Sequence, residues 1–264
     1  MENRFAYVAA LTNEAYLPGI AALKKSLQRV KSKYNLLILL PVDKSNSLVE
    51  LLNRNNVLDT SCSVEIKPNI IVNKGSNHYW DFTFFKLQAV SLVRFEKIIL
   101  IDADMLVNRN IDHLFDCEPF SAVVAGKATH PEYDDLNSGL LVLKPSIELF
   151  NSLVESIPFV INKRNELNLF AGDQDVFIEF KKDWRIRDNL HLAEIYNCFF
   201  LDLYRVAKKN NCKCRDMYII HFIGKEKPWM QKKIISYYFW LLRNFRFSQF
   251  CYYKRYRRLA RIKK

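Results

Sequence analysis

Lys97-Ile98-Ile99-Leu100-Ile101-Asp102-Ala103-Asp104 decides the fold class. Four aliphatic residues in succession, three of them β-branched, read as a strand buried on both faces. The run stops abruptly at two acids. In an open α/β sheet the carboxyl ends of the strands form the edge where ligands bind. While the extended geometry lasts, Asp102 and Asp104 point to the same side. Two carboxylates aimed at one point repel unless a cation lies between them, and hard oxygen donors suit Mg²⁺ or Mn²⁺. The plainer alternative is an acidic turn after a strand, because Asp is common in turns.

The chain before this strand supplies the sheet. Residues 5–11 are an apolar β-rich run, residues 13–30 carry Leu17, Ile20, Ala21 and Leu27 at helical spacing, and residues 36–42 are almost continuously apolar. This β-α-β opening predicts an α/β protein with an open sheet flanked by helices. Helices are expected over 47–58, 82–95, 146–157 and 173–180. Further strands are expected over 64–66, 122–125, 138–143 and 218–222. Residues 184–193 show no clear period.

Composition excludes several classes. The chain has 264 residues, 50% apolar and 26% charged, which is globular rather than disordered or membrane-spanning. Its 6 glycines are dispersed, so neither a Gly-x-Gly-x-x-Gly loop nor a Walker loop exists to hold phosphates. The net charge of +12 is localised: residues 225–264 hold 13 Lys or Arg and one acid, and the rest is balanced. The 6 cysteines are scattered in a chain too large to need staples, which points to a reducing compartment. Cys212 and Cys214 with His221 lack the fourth ligand of a structural zinc site.

Four further segments offer chemistry, each weak alone. Residues 218–222 form a strand containing His221, followed by Gly224 and Lys227. Imidazole accepts Mn²⁺, glycine lets a backbone approach an anion, and lysine brings positive charge. Asn137 and Ser138 precede an apolar strand, Gly172-Asp173-Gln174-Asp175 opens a helix, and Lys86 interrupts the apolar Phe84-Phe85-Lys86-Leu87. A turn, a helix cap and a snorkelling lysine explain the last three equally well.

Together and in order, these segments resemble glycosyltransferase family 8, over residues 5 to about 229. Ala9-Ala10-Leu11-Thr12-Asn13-Glu14-Ala15-Tyr16 is similar to that family's nucleotide-binding opening. Asp102-Ala103-Asp104 is similar to its metal-binding Asp-x-Asp. Asn137-Ser138-Gly139 and Gly172-Asp173-Gln174 are similar to its sugar-contacting motifs. His221-Phe222-Ile223-Gly224 with Lys227-Pro228-Trp229 is similar to its closing motif. The resemblance implies a GT-A type fold, a UDP-hexose donor, Mn²⁺ (or Mg²⁺) and retention of anomeric configuration. It implies Asp102, Asp104 and His221 as metal ligands, and Leu11, Thr12 and Tyr16 on the uridine side. Ala103, Gly224 and Lys227 would lie along the nucleotide diphosphate. Lys86, Asn137, Ser138, Asp173 and Gln174 would surround the donor sugar, with Asp173 and Gln174 in the catalytic positions. Asp175 matches bacterial galactosyltransferases while the closing motif is closer to glycogenin, so glucose and galactose both stay open. Tyr204 stands where a glycogenin-like chain would carry a self-glucosylated tyrosine; packing is the plainer reading. A noncatalytic sugar-nucleotide or membrane-binding scaffold is the alternative of another class.

The expected division is a catalytic domain over residues 1–230 and an appended basic aromatic tail over 231–264. From Trp229 onward, eleven aromatics interleave with 11 Lys or Arg and no acid. That pattern fits an anionic membrane surface. A C-terminal helix packed on the body with a solvated basic end is the plainer alternative, and nucleic acid is the weakest reading of the same ingredients. The apolar run at 234–242 is far short of the roughly 20 residues needed to span a bilayer. The N-terminus shows no signal-peptide pattern. The expected location is cytoplasmic, peripheral on the inner face of a membrane, with a saccharide or glycolipid acceptor.

Overall fold

The computed structural model describes residues 4–70, 82–230 and 234–263. Five strands come first along the chain: β1 (Phe5–Ala10), β2 (Leu36–Pro41), β3 (Cys62–Lys67), β4 (Lys97–Ile101) and β5 (Met105–Val107). They are followed by β6 (Ala122–Val123), β7 (Asn137–Leu143), β8 (His191–Leu192), β9 (Cys198–Phe199) and β10 (Ile219–His221). Among the described residues the α-helices are α1 (Leu17–Arg29), α2 (Ser45–Arg54), α3 (Ile147–Glu166), α4 (Asp173–Phe180), α5 (Leu203–Lys209), α6 (Ile234–Arg243) and α7 (Phe247–Leu259).

Among the described residues, seven strands form the main sheet in the order β3-β2-β1-β4-β7-β6-β8. β3, β2, β1 and β4 run parallel, and β7 returns antiparallel beside β4. Side chains of β4 alternate between two cores, as strand geometry requires. Ile98 and Leu100 join Leu153 and Ile157 of α3 and Phe177 of α4. Ile99 and Ile101 join Ile20 and Leu23 of α1 and Leu48 of α2. The sheet is thus covered on both faces, as expected for parallel strands.

A second sheet, β5-β10-β9, is built directly behind the acids. β10 lies antiparallel to β5, with His221 opposite Met105, and parallel to β9, with His221 beside Phe199. The Phe222 N–H donates to the Asp104 carbonyl at 3.0 Å. This pairing carries a residue from late in the chain to the end of β4.

Several elements differ from the sequence reading. The segment expected as a helix over 82–95 contains a 3-10 helix, Phe84–Ser91. Phe84, Phe85, Leu87, Gln88, Ala89 and Val90 are all buried there, so the segment has no polar face to set an α-helical period. The strand expected over 122–125 is only Ala122–Val123, with a register irregularity against β7. The helix expected to end at 157 continues through Pro158 to Glu166, held by Ile157, Val160 and Ile161 against the core. The helix expected over 47–58 begins at Ser45 and ends at Arg54, before Asn56 turns to φ 53°.

Candidate active site

β4 and β10 deliver the two halves of a polar cluster. Asp102, Asp104 and His221 each present a ligand atom within 4.8 Å of the others. His221 Nε2 lies 3.2 Å from Asp104 Oδ1 and 3.8 Å from Asp102 Oδ2. Asp104 and His221 are buried, and Asp102 is half-buried.

The orientation of the imidazole follows from hydrogen bonds that begin at a backbone amide. The Gly139 N–H donates to Asn137 Oδ1 at 3.0 Å, so that atom must be the oxygen. Asn197 Nδ2 donates to the same oxygen at 2.8 Å. The other amide atom of Asn197 is therefore its oxygen, and it accepts from His221 Nδ1–H at 2.9 Å. With Nδ1 as the donor, Nε2 faces the two carboxylates, where a cation would satisfy all three groups. Two carboxylate oxygens and a neutral imidazole nitrogen fit a divalent ion such as Mn²⁺. Gly139 is required at this crossing. A Cβ there would come within 2.9 Å of Asn137 Oδ1, His221 Cε1 and Met105 Cε.

Two lysines flank the cluster. Lys227 is buried and donates from Nζ to Asp104 Oδ2 and to the Phe222 carbonyl, the latter at 3.1 Å. Burial opposes the Asp104 charge, but His221 and Lys227 outweigh it and hold that carboxyl well below the usual carboxylate range. Lys86 bridges Asp102 Oδ1 and Asp173 Oδ2, at 2.8 Å to each. Burial likewise disfavours its ammonium, and the two carboxylates reverse that and raise its pKa above the ordinary lysine range. Three carboxylates against two ammonium groups leave one negative charge in excess while His221 is neutral. A divalent ion would invert the sign, which suits an incoming diphosphate.

The remaining candidates surround this centre on different elements. Gln174 Oε1 accepts from Asn137 Nδ2 at 3.0 Å and from the Ser138 N–H at 3.3 Å. Asp173 starts α4, and its N–H donates to Thr83 Oγ1 at 3.1 Å. Leu11 is fully buried, so only its backbone can face a ligand. Thr12 and Tyr16 are half-buried in the loop after β1. Trp229 closes onto that loop, its Nε1–H donating to the Ala15 carbonyl at 2.8 Å and its ring edge-on to Tyr16 at 5.9 Å. The Lys227 ammonium lies 5.8 Å over the Tyr16 ring. Ala103 turns its carbonyl towards α1 at Gly19. Gly224 has φ +97°, and a Cβ there would meet no atom within 4 Å. Among the described residues, Cys212 and Cys214 join no metal-ligand cluster with His221. Tyr204 is held in packing: its hydroxyl accepts from the Ser248 N–H at 3.1 Å, and Arg246 lies over its ring.

Sequence reasoning missed Asn197 as a member of this site. The residue is completely buried, yet in sequence it is an ordinary turn-forming amide. Only its pairing with His221, through β9 and β10, reveals its role. Asn197→Ala is expected to weaken Mn²⁺ binding about 10–100-fold, the usual effect of removing a partner that orients a metal-ligating histidine. A Mn²⁺ titration of the variant checks this; wild-type affinity would show that the imidazole is oriented by something else.

Comparison with known proteins places the chain. The model of glycosyl transferase family 8 matches residues 7–233. Human glycogenin-1 is 31% identical over 234 residues, covering 85% of this chain and 62% of its own length. The chain thus spans less than two thirds of that relative. Among solved structures, the galactosyltransferase LgtC in complex with donor and acceptor sugar analogues has a TM-score of 0.62. It is 14% identical, and the match covers 97% of this chain and 95% of LgtC. The glycosyltransferase GlyE of Streptococcus pneumoniae TIGR4 has a TM-score of 0.59 at 19% identity, covering 94% of this chain and 62% of its own. With a mixed, parallel-rich sheet of this topology, a GT-A type fold, and a family match over most of its length, the chain belongs to glycosyl transferase family 8.

Proposed function

We propose that the protein is a divalent-cation-dependent retaining glycosyltransferase that moves a hexose from a UDP-sugar to a saccharide acceptor. The observation that carries this reading is the meeting of Asp102, Asp104 and His221 beside Lys227. Such a centre neutralises charge on a diphosphate leaving group without a glycine loop. Asp102, Asp104 and His221 would hold the cation, which when bound would supply electrostatic stabilisation of the growing diphosphate charge. Lys227 adds positive charge at the same place, and Gly224 lets the main chain come close to the diphosphate. Thr12 and Tyr16 hold the uridine side.

The donor hexose lies among Lys86, Asn137, Ser138, Asp173 and Gln174. Asp173 is neutralised by Lys86, and Gln174 presents an amide whose oxygen is already engaged. Neither is a strong nucleophile in that state, which supports attack by the acceptor hydroxyl on the face that the diphosphate leaves. Glucose and galactose are the donors considered. The experiment is a screen of UDP-hexoses for Mn²⁺-dependent UDP release, with and without saccharide acceptors. A rate that depends on both metal and donor supports the reading; no donor turnover with any UDP-sugar would leave the scaffold alternative.

The acceptor is proposed to be a lipid-linked surface glycan, such as lipopolysaccharide or capsule, reached at the cytoplasmic face of a membrane. No helix among the described residues is long and apolar enough to cross a membrane. Ile235, Phe239, Trp240, Phe245 and Phe247 are exposed in and beside α6, next to Arg243 and Arg246. That surface combines apolar wedges with positive charge, which fits anionic lipid. Full-length protein should float with anionic liposomes, and Phe239→Ser with Trp240→Ser should abolish flotation. Equal recovery with neutral and anionic liposomes would remove the membrane part.

A further inference from the structure

The chain beyond the family match contains α7, and α7 touches the catalytic centre from behind. Tyr256 is completely buried. Its hydroxyl donates to the carbonyl of Ala103, the residue between the two acids, at 3.3 Å. Its ring packs on Phe222 at 4.4 Å and on Trp229 at 5.7 Å. Phe222 follows His221 and is bonded to the Asp104 carbonyl; Trp229 closes the Lys227-Pro228-Trp229 segment. One aromatic side chain therefore contacts all three segments that converge on the cation site. Neighbours on α7 reinforce the contact. Tyr253 Oη donates to the Pro228 carbonyl at 3.4 Å, and the Arg257 guanidinium donates to the same oxygen.

We infer that Tyr256 is a positioning residue for the cation-binding turn and acts through the Ala103 carbonyl. The inference rests on the metal-dependent reading above. The peptide plane that carries the Ala103 oxygen joins Ala103 to Asp104, and its tilt sets the direction in which the buried carboxylate leaves the backbone. On the other side this oxygen faces Gly19 of α1, where a Cβ would lie only 2.5 Å away. The carbonyl is thus fixed between a helix that must be bare at that point and a phenol from the last helix. Burial keeps the phenol protonated far above neutral pH, so it remains a donor. Residues 249–260 are consequently part of the catalytic unit, separate in role from the exposed aromatics in and beside α6.

The test uses full-length Tyr256→Phe, which keeps the ring and removes the hydroxyl. Arg255→Ala is the companion variant. Arg255 anchors the same helix to Asn108 Oδ1 at 2.7 Å, away from Ala103. Mn²⁺ binding in the presence of UDP is followed by the electron-paramagnetic signal of free Mn²⁺, with thermal melting measured in parallel. Tyr256→Phe is expected to weaken Mn²⁺ binding about fivefold, the scale of one lost hydrogen bond. Arg255→Ala is expected to lower the melting temperature and keep wild-type Mn²⁺ affinity. Wild-type affinity in Tyr256→Phe, or affinities of both variants that simply follow their melting temperatures, overturns the inference. Absence of Mn²⁺ binding by the wild type would instead overturn the metal-dependent reading on which it rests.

Discussion

Asp104→Ala is expected to lower the proposed metal-dependent UDP-hexose turnover about a thousandfold, the upper range for removing one electrostatic stabiliser from a catalytic centre. Asp104 is the point where the two halves of the site join. One of its oxygens faces His221 Nε2 at 3.2 Å and the other receives the Lys227 ammonium. Its removal would deprive the proposed cation of a ligand and leaves Lys227 buried without a counter-charge. An unpaired buried charge costs about 3–5 kcal/mol, so the variant also melts lower. Asp104→Asn separates the two effects, because it keeps the volume and an oxygen for Lys227. It should recover much of the melting temperature and little of the activity. Thermal melting with initial-rate assays over a Mn²⁺ series checks both; full activity in either variant contradicts the ligand assignment.

Lys86→Met carries the second large effect, on stability as well as activity. Lys86 neutralises Asp102 and Asp173 together, and the Asp173 side chain is only 7% exposed. Without the ammonium, Asp173 is a buried charge, and the loss is about 3–5 kcal/mol at neutral pH. The sign with pH is defined. In the wild type the folded pKa of Lys86 is raised, so its contribution is complete below the ordinary lysine pKa and fades only in strong alkali. In the variant the deficit narrows as the pH falls into the carboxylate range, where a proton does what the lysine did. Urea unfolding of both proteins from pH 4 to pH 8 tests this; a deficit independent of pH would show that the lysine acts through packing alone.

The parts of this molecule set by local pattern were readable from the residues. β1, α1, β2 and β4 announce themselves as apolar runs or a helical stripe, and the two acids at the end of β4 follow from the sheet edge. The parts set by distant pairing were not. β5 and β9 are three and two residues long, too short for any period, and they exist because β10 lies between them. Asn197 owes its role to the same pairing. The tail shows a different limit: composition gives eleven aromatics one common description, whereas the structure divides them. Tyr252, Tyr253 and Tyr256 are buried against the body, and Phe239, Phe245 and Phe247 are exposed. Spacing held that information, since Gln249, Tyr252, Tyr253, Tyr256 and Ala260, all buried, recur at helical intervals along one face of α7. The 3-10 helix that carries Lys86 lacked even this cue, being buried on nearly every side.

A crystal of the protein grown with Mn²⁺ and UDP, with anomalous diffraction recorded at the manganese edge, tests the central claim most directly. The account predicts a single anomalous peak ligated by Asp102, Asp104 and His221, with diphosphate oxygens completing the shell. A peak elsewhere, or one at this place lacking His221 or either aspartate as a ligand, would contradict it.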